Sequence, residues 1–284
     1  MKIGAVEVGD GHPCYIIAEI GINHNGSVDQ AIQLIAAAKE AGCNAVKFQK
    51  RTVEIIYSEE ELNQPRASIF GFTNGALKRG LEFGYFEYGA INLYCKSIGM
   101  IWFASPWDQY AVDFLSQYNP PCYKIASASL TDDNLLEYIA YTGKPVILST
   151  GMSTLEQIDH AVDILGKDNL ILLHCCSAYP AYNNELNLRV IPAMRARYGI
   201  PVGYSGHELG IASTVAAVAL GACVVERHVT LSRELWGSDQ AASLEPAELN
   251  ELVRDIRFVE AAMGDGVKRV QEREIPVMQK LRRA

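Results

Sequence analysis

Short apolar runs rich in β-branched and aromatic residues alternate along this chain with longer amphipathic runs. That alternation limits the fold more than any other feature, because it is the pattern of parallel strand–helix units. The strand-like runs are 15-YIIAEI-20, 44-NAVKFQ-49, 101-IWFAS-105, 122-CYKIAS-127, 145-PVILST-150, 169-NLILLHC-175, 200-IPVGYS-205 and 222-ACVVERH-228. Helix-period segments fall near 28–41, 87–99, 108–118, 132–141, 154–165, 186–198, 209–220 and 246–263. Eight of each across 284 residues predict one α/β domain spanning 1–284, a (β/α)8 TIM barrel. Ser27 and Thr131 are the expected helix starts, the latter followed by Asp132 and Asp133. Gly42, Gly99, Gly143, Gly166, Gly199 and Gly221 are the expected left-handed stops.

Two segments depart from the repeat. Residues 1–14 read as a short strand pair or lid at the barrel base, and 50–86 as a long insertion after the second strand. Insertions on strand-to-helix loops of a barrel commonly serve the site. Hydrophobic residues at 49% and charged ones at 20% allow a large core and argue against disorder. A net charge of −8 argues against a nucleic-acid partner, which needs a basic face. The longest apolar stretch, 211-IASTVAAVALGACVV-225, is broken by Ser213, Thr214 and Gly221 and is too short to cross a bilayer. No signal-peptide pattern opens the chain, and seven cysteines include no CxxC pair. The expectation is a reduced, cytoplasmic protein without membrane or nucleic-acid partners.

In a barrel, chemistry gathers at the C-terminal ends of the strands. Here those ends carry Glu19; Lys47 and Gln49; Ser105; Lys124 and Ser127; Ser149 and Thr150; His174; Ser205 and His207; and Glu226 and His228. One polar strand end is ordinary, whereas eight in succession indicate a site. Lysine is rarely buried without a partner, so Lys47 and Lys124 imply an anion they share, with Ser127, Ser149 and Ser205 as further donors. Two other readings stand beside this one. Each lysine pairs with a barrel carboxylate such as Glu19 or Glu226, or Lys124 is the nucleophile of a Schiff-base aldolase. His207 and His228 end neighbouring strands and suit an open Mn2+ or Mg2+ site better than a closed zinc site, or else act as acid/base or structural groups. Gly203 and Gly206 are expected to let the backbone bend toward the ion. Glu226, two residues before His228, shares its face and lies one layer deeper.

At these positions the chain resembles the sialic acid (N-acetylneuraminate) synthases. The matching segments are 18-AEIGINHNG-26, 46-VKFQ-49, 123-YKIAS-127, 148-LSTGMS-153, 174-HCCSAYP-180, 203-GYSGHELG-210, 226-ERHVT-230 and 237-GSDQAASLEP-246. The resemblance implies metal-dependent condensation of phosphoenolpyruvate with an open-chain aldose, N-acetylmannosamine or a related sugar, to give a nonulosonic 2-keto-3-deoxy acid and phosphate. A synthase of a shorter 3-deoxy-ulosonic acid and a non-catalytic binding barrel are the alternatives. By resemblance, His207 and His228 hold the metal, and Lys47, Ser105, Lys124, Ser127, Ser149 and Ser205 hold phosphoenolpyruvate. Gln49, Tyr179, Glu226 and Asp239 meet the sugar, and Glu19, Lys47, Lys124 and Glu226 carry the chemistry. The resemblance also implies a homodimer or higher homo-oligomer. Full-length members continue into a small antifreeze-like domain that supplies an arginine to the sugar's acyl group. This chain stops at 279-QKLRRA-284, so weak sugar binding, or a sugar without an N-acyl group, is expected.

Overall fold

The computed structural model describes residues 1–283. Its parallel strands are β1 (Tyr15–Gly21), β2 (Ala45–Lys50), β3 (Ile101–Pro106), β4 (Tyr123–Ile125), β5 (Val146–Ser149), β6 (Leu170–Cys175), β7 (Val202–Gly206) and β8 (Val224–His228). They lie in the spatial order β3-β2-β1-β8-β7-β6-β5-β4, so β8 closes onto β1 and the sheet curls into a barrel. At the β3–β4 seam the two strands face each other without a hydrogen-bonded ladder.

Eight helices cover the outside: α1 (Val28–Ala41), α2 (Tyr85–Ile98), α3 (Gln109–Ser116), α4 (Asp133–Tyr141), α5 (Leu155–Leu165), α6 (Val190–Tyr198), α7 (Ala212–Ala219) and α8 (Pro246–Met263). The Ser27 hydroxyl caps α1 by accepting from Gln30 N at 3.3 Å, and Gly42 ends that helix in the left-handed region. Between these caps Ala31, Leu34, Ile35 and Ala38 form the buried stripe that 3.6-residue periodicity requires. α4 starts one residue later than expected. Asp132 rather than Thr131 is its cap, accepting from Leu135 N at 3.1 Å, because residues 127–129 already turn in a 3-10 helix. Gly166 has positive φ, but its ψ of 169° lies outside the left-handed helical cap. No helix among the described residues is long and apolar enough to cross a membrane.

Strand pleating divides the core in two. Ile16, Ala18, Val46, Phe48, Leu148, Leu172 and Val225 point outward against the helices. Tyr15, Ile17, Phe103, Ile147, Ile171 and Val224 point inward and fill the lower barrel. The N-terminal hairpin, Lys2–Ile3 against Val6–Glu7, plugs that floor with Ile3 and Val8, as expected for residues 1–14. Burying each such aliphatic side chain stabilises the fold by about 1.5–3 kcal/mol. With the floor packed, the open space inside the barrel lies at its mouth.

One outward position is ionic. Arg227 lies between Glu226 and His228 in sequence, so it faces the helices, where it is buried with Glu208, Tyr204 and Thr214. Its guanidinium donates to Glu208 Oε1 at 3.2 Å, Thr214 Oγ1 at 2.7 Å and two backbone carbonyls. This pair clamps the turn that carries His207. Arg227→Leu is expected to cost about 3–5 kcal/mol, because Glu208 keeps its charge without its cation. Denaturant unfolding measures this, and a loss below about 1 kcal/mol would mean that the Glu208 carboxylate reaches water in the variant.

The insertion holds helices at Val53–Ile56, Glu59–Asn63 and Asn74–Leu81 around a hairpin of Pro65–Ser68 and Gly71–Thr73. It docks closely on the loop after β1. A Cβ on Gly26 would lie 2.5 Å from Gly80 O and 2.7 Å from the Phe70 ring, so the approach needs glycine there.

Candidate active site

The period of two that fills the floor also fills the mouth. Above Ile17 on β1 comes Glu19, above Ala45 on β2 come Lys47 and Gln49, and above Phe103 on β3 comes Ser105. Lys124, Ser149, Cys175 and Ser205 follow on β4 to β7, and β8 supplies Glu226 and His228. His207 stands just beyond the end of β7, and Ser127 just beyond β4. Together with Tyr179 they line one cavity of about 230 Å3. Asp239 stands at its edge, with a carboxylate oxygen 3.8 Å from His228 Nδ1.

Two strand-end groups turn away. His174 lies between the inward Leu173 and Cys175, faces the helices, and bonds the Leu186 carbonyl at 2.7 Å. The Thr150 hydroxyl donates to Leu173 O. The inward residue of β6 is Cys175, which the sequence reading passed over although strict alternation from Leu173 selects it. Ser177, Trp107 and Met152 also reach the cavity from loops, where no periodicity marks them.

The two lysines and two carboxylates form one buried network. Lys47 Nζ lies 2.9 Å from Glu19 Oε2, 3.0 Å from Ser105 Oγ and 3.6 Å from Glu226 Oε1. Lys124 Nζ donates to Ser149 Oγ at 2.7 Å and Ile125 O at 3.1 Å, and lies 3.8 Å from the same Glu226 oxygen. Both lysines thus approach one oxygen of Glu226, which also accepts from Ser205 Oγ at 3.3 Å. Burial acts against the ionised form of Glu226, but Lys124 and Lys47 overcome it and hold the carboxyl below its usual range. Lys47 is likewise raised, since Glu19 and Glu226 outweigh its burial, whereas burial wins at Lys124 and lowers it.

Glu19 behaves oppositely to Glu226. Burial, reinforced by Glu226, outweighs Lys47 and the Gln49 hydrogen bond at 2.9 Å and raises it to about 7. An unfolded chain releases this proton near 4.5, so between those values the folded state binds more protons and stability falls as pH rises. Glu19→Gln cannot ionise and is expected to flatten that fall. Unfolding midpoints of both proteins between about pH 5 and about pH 8 check it; parallel curves would mean that Glu19 stays ionised throughout. Gly21, with φ of 53°, leaves this corner open: a Cβ there would press within 3.1 Å of both Glu19 and Gln49.

His207 and His228 stand with ring centroids 5.5 Å apart, and the half-exposed Tyr179 ring covers His207 at 4.0 Å. His207 Nδ1 lies 2.7 Å from the Cys176 carbonyl, which can only accept, so Nδ1 carries a hydrogen and Nε2 is the nitrogen left to meet a ligand. Burial lowers His228 to about 4, leaving it neutral, and its Nδ1 has no hydrogen-bond partner. At His207 burial opposes the charged form, but the contacts with Cys175 and the Cys176 carbonyl outweigh it and raise the imidazole, so the two rings differ in protonation. Both remain the candidate ligands for a divalent ion. Among the described residues no group of three His, Cys, Asp or Glu could close a site around one. Two imidazoles are too few to close a structural zinc site, which takes four protein ligands. Gly203 and Gly206 have a different role from the bend expected of them. Neither has positive φ; an added Cβ would strike Val224 O at 2.4 Å or Glu208 Oε2 at 2.6 Å, so both are needed for packing.

The NeuB family model matches residues 34–268. The chain is 43% identical over 279 residues to the N-acetylneuraminate-9-phosphate synthase of Mus musculus, covering 96% of this chain and 78% of that protein. It is 34% identical over 290 residues to the N,N'-diacetyllegionaminic acid synthase of Legionella pneumophila, covering 97% and 80%. The crystal structure of N-acetylneuraminic acid synthetase from Leptospira borgpetersenii superposes over 100% of this chain and 98% of that one, with a TM-score of 0.87 and 33% identity. A match over most of its length, with relatives that are synthases, makes this chain an enzyme of the NeuB family.

Proposed function

We propose that this enzyme condenses phosphoenolpyruvate with an open-chain aldose, releasing phosphate and forming a sialic-acid-like 2-keto-3-deoxy acid. The observation that carries the reading is the buried mouth itself, where Lys47 bonds Ser105 and Lys124 bonds Ser149 opposite the paired imidazoles of His207 and His228. Phosphoenolpyruvate brings a carboxylate and a phosphate, and these compete with Glu226 for the two ammonium groups. Ser127, whose hydroxyl accepts from Gly151 N at 3.0 Å, fixes the loop beside them. Holding both anionic ends orients the enol carbon toward the histidines.

The carbon–carbon bond forms when that enol carbon attacks the aldehyde carbon, and the aldehyde oxygen becomes a hydroxyl. Lewis-acid polarisation of the aldehyde oxygen is what Mn2+ or Mg2+ supplies when held by His207 and His228. Water then adds to the former enol-ether carbon and gives up a proton, for which Glu19, raised to about 7, is suited near neutral pH. The carbon–oxygen bond to phosphate breaks, the new hydroxyl loses its proton, and a ketone remains. Gln49 and Asp239, the latter 3.8 Å from His228 Nδ1, are the candidates to bind sugar hydroxyls.

Phosphate release from phosphoenolpyruvate, measured with a panel of aldoses of different lengths, tests the reaction. Release is expected with N-acetylmannosamine or a related sugar, only with Mn2+ or Mg2+ present. Release with shorter aldoses alone would reassign the product to a shorter ulosonic acid, and no release with any aldose would remove the assignment.

A further inference from the structure

Alternation carries the inward face of β2 one residue past the strand, from Lys47 and Gln49 to Arg51. The backbone there is firmly fixed. Arg51 N donates to Glu82 Oε1 at 3.0 Å, and Thr52 bonds the Asp108 carboxylate through its N–H at 2.6 Å and its hydroxyl at 2.9 Å. Trp107 N donates to Lys50 O at 3.0 Å, which ties the loop after β3 to the end of β2. On this base the Arg51 guanidinium lies over the Trp107 ring, 4.2 Å from its centroid, and one terminal nitrogen donates to Gln49 Oε1. The side chain is thus directed at an amide and an indole face.

The bond to Gln49 decides which way that amide faces. A guanidinium can only donate, so the amide oxygen is the end turned to Arg51. The nitrogen is then the end turned to Glu19 Oε1, at 2.9 Å. Gln49 Nε2 keeps a second hydrogen. The point that a Gly21 Cβ would occupy lies 3.1 Å from this nitrogen, 3.1 Å from Glu19 Oε1 and 3.5 Å from His228 Cε1, so the nitrogen borders the open corner that His228 shares. Two further donors on this side, Arg51 Nε and Trp107 Nε1, are buried without a hydrogen-bond partner, and Trp107 lines the mouth. Buried donors without acceptors are rare, and here they gather where the loops after β2 and β3 meet the cavity.

We infer that Arg51 is a positioning residue for the acceptor sugar: by turning the Gln49 oxygen to itself, it makes this wall of the mouth offer hydrogens, and the wall takes a lone-pair oxygen of the aldose. The inference rests on the condensation proposed above, which brings an aldose into the mouth. Without Arg51 the amide is free to turn over. Its oxygen would then face both the Glu19 carboxylate and the sugar oxygen, lone pair against lone pair.

Turnover of the wild type with the aldose panel comes first. No phosphate release with any aldose would remove the synthase reading, and this inference with it, before a variant is made. With the aldose that turns over, Arg51→Met is expected to lower kcat/KM for the sugar by at least about tenfold, while the KM of phosphoenolpyruvate moves less than about threefold. Gln49→Met is expected to do the same. The double variant is expected to match Gln49→Met within about threefold, because Arg51 acts through that amide. Arg51→Lys still donates, and is expected to keep at least about threefold more of the sugar's kcat/KM than Arg51→Met does. If Arg51→Met does not fold, Arg51→Gln takes its place in the cycle. Losses that multiply in the double variant would mean that Arg51 acts without Gln49. An equal rise in KM for both substrates would mean that the loop has merely loosened, and Arg51→Lys no better than Arg51→Met would make the stack on Trp107 the whole role. Each of these results would overturn the inference and leave the synthase reading intact.

Discussion

Alanine at His207 or His228 is expected to leave a folded barrel that releases phosphate from phosphoenolpyruvate more than about a hundredfold more slowly, since losing even an outer-shell partner of a metal costs about 10–100-fold. His207 holds Nδ1 toward the Cys176 carbonyl and is raised by its Cys175 and Cys176 contacts, whereas burial keeps His228 neutral. Both are near the C-terminal face of the barrel, where side chains serve chemistry more than stability. Stability is therefore expected to change by less than about 2 kcal/mol in either variant. Calorimetric titration with Mn2+ should show the metal site weakened in both proteins, and chelation should silence the wild type until Mn2+ is returned. Cys175 Sγ lies 3.7 Å from His207 Nδ1, which offers a competing role for that imidazole as partner of a reactive thiol. Cys175→Ser separates the two: retained turnover supports the metal role, and loss equal to that of His207→Ala supports the thiol. Full activity of either histidine variant after exhaustive chelation would end the metal assignment.

Most of the barrel was legible because a strand writes its two faces into its sequence. In β8, Val224, Glu226 and His228 share the inner face while Val225 and Arg227 share the outer one, and registry with β1 sets His228 beside Glu19. That answers why a nearly continuous apolar strand ends in a carboxylate and an imidazole: the floor is packed one layer below, and the mouth is where polar groups face a cavity. The same rule applied to β6 excludes His174 and selects Cys175. Helix starts were less legible. Thr131 and Asp132 are both good caps, and the choice between them fell to the 3-10 turn before them, a local geometry that propensity does not encode. Least legible was the electrostatic pairing. Lys47, Lys124 and Glu226 are far apart in sequence and meet only because β2, β4 and β8 curve around one axis. Nothing in the order of residues says that one oxygen of Glu226 lies between both lysines.

Lys124→Met is expected to weaken phosphoenolpyruvate binding by about 2–5 kcal/mol, roughly thirtyfold to several thousandfold, because it removes a buried charged donor from a doubly anionic ligand. The structure adds a second loss. With Lys124 gone, Glu226 keeps only Lys47 among the lysines, at 3.6 Å, so its carboxyl shifts upward and competes less well as an anion. The variant therefore loses a cation but also part of the opposing charge, which places the expected loss toward the lower end of that range. Calorimetric titration with phosphoenolpyruvate measures it, and a change under about threefold would mean that the ligand sits elsewhere. One feature of Lys124 favours the rival Schiff-base reading: burial lowers its affinity for a proton, which is how an imine-forming lysine is activated. Against that, its ammonium already donates to Ser149 Oγ, at 2.7 Å, and to Ile125 O, an arrangement that stabilises the charged form and points it at an anion. Borohydride added during turnover decides between them. An intact mass unchanged by the treatment is expected, whereas an adduct of the pyruvyl or sugar carbons on Lys124 would make this barrel an imine-forming aldolase.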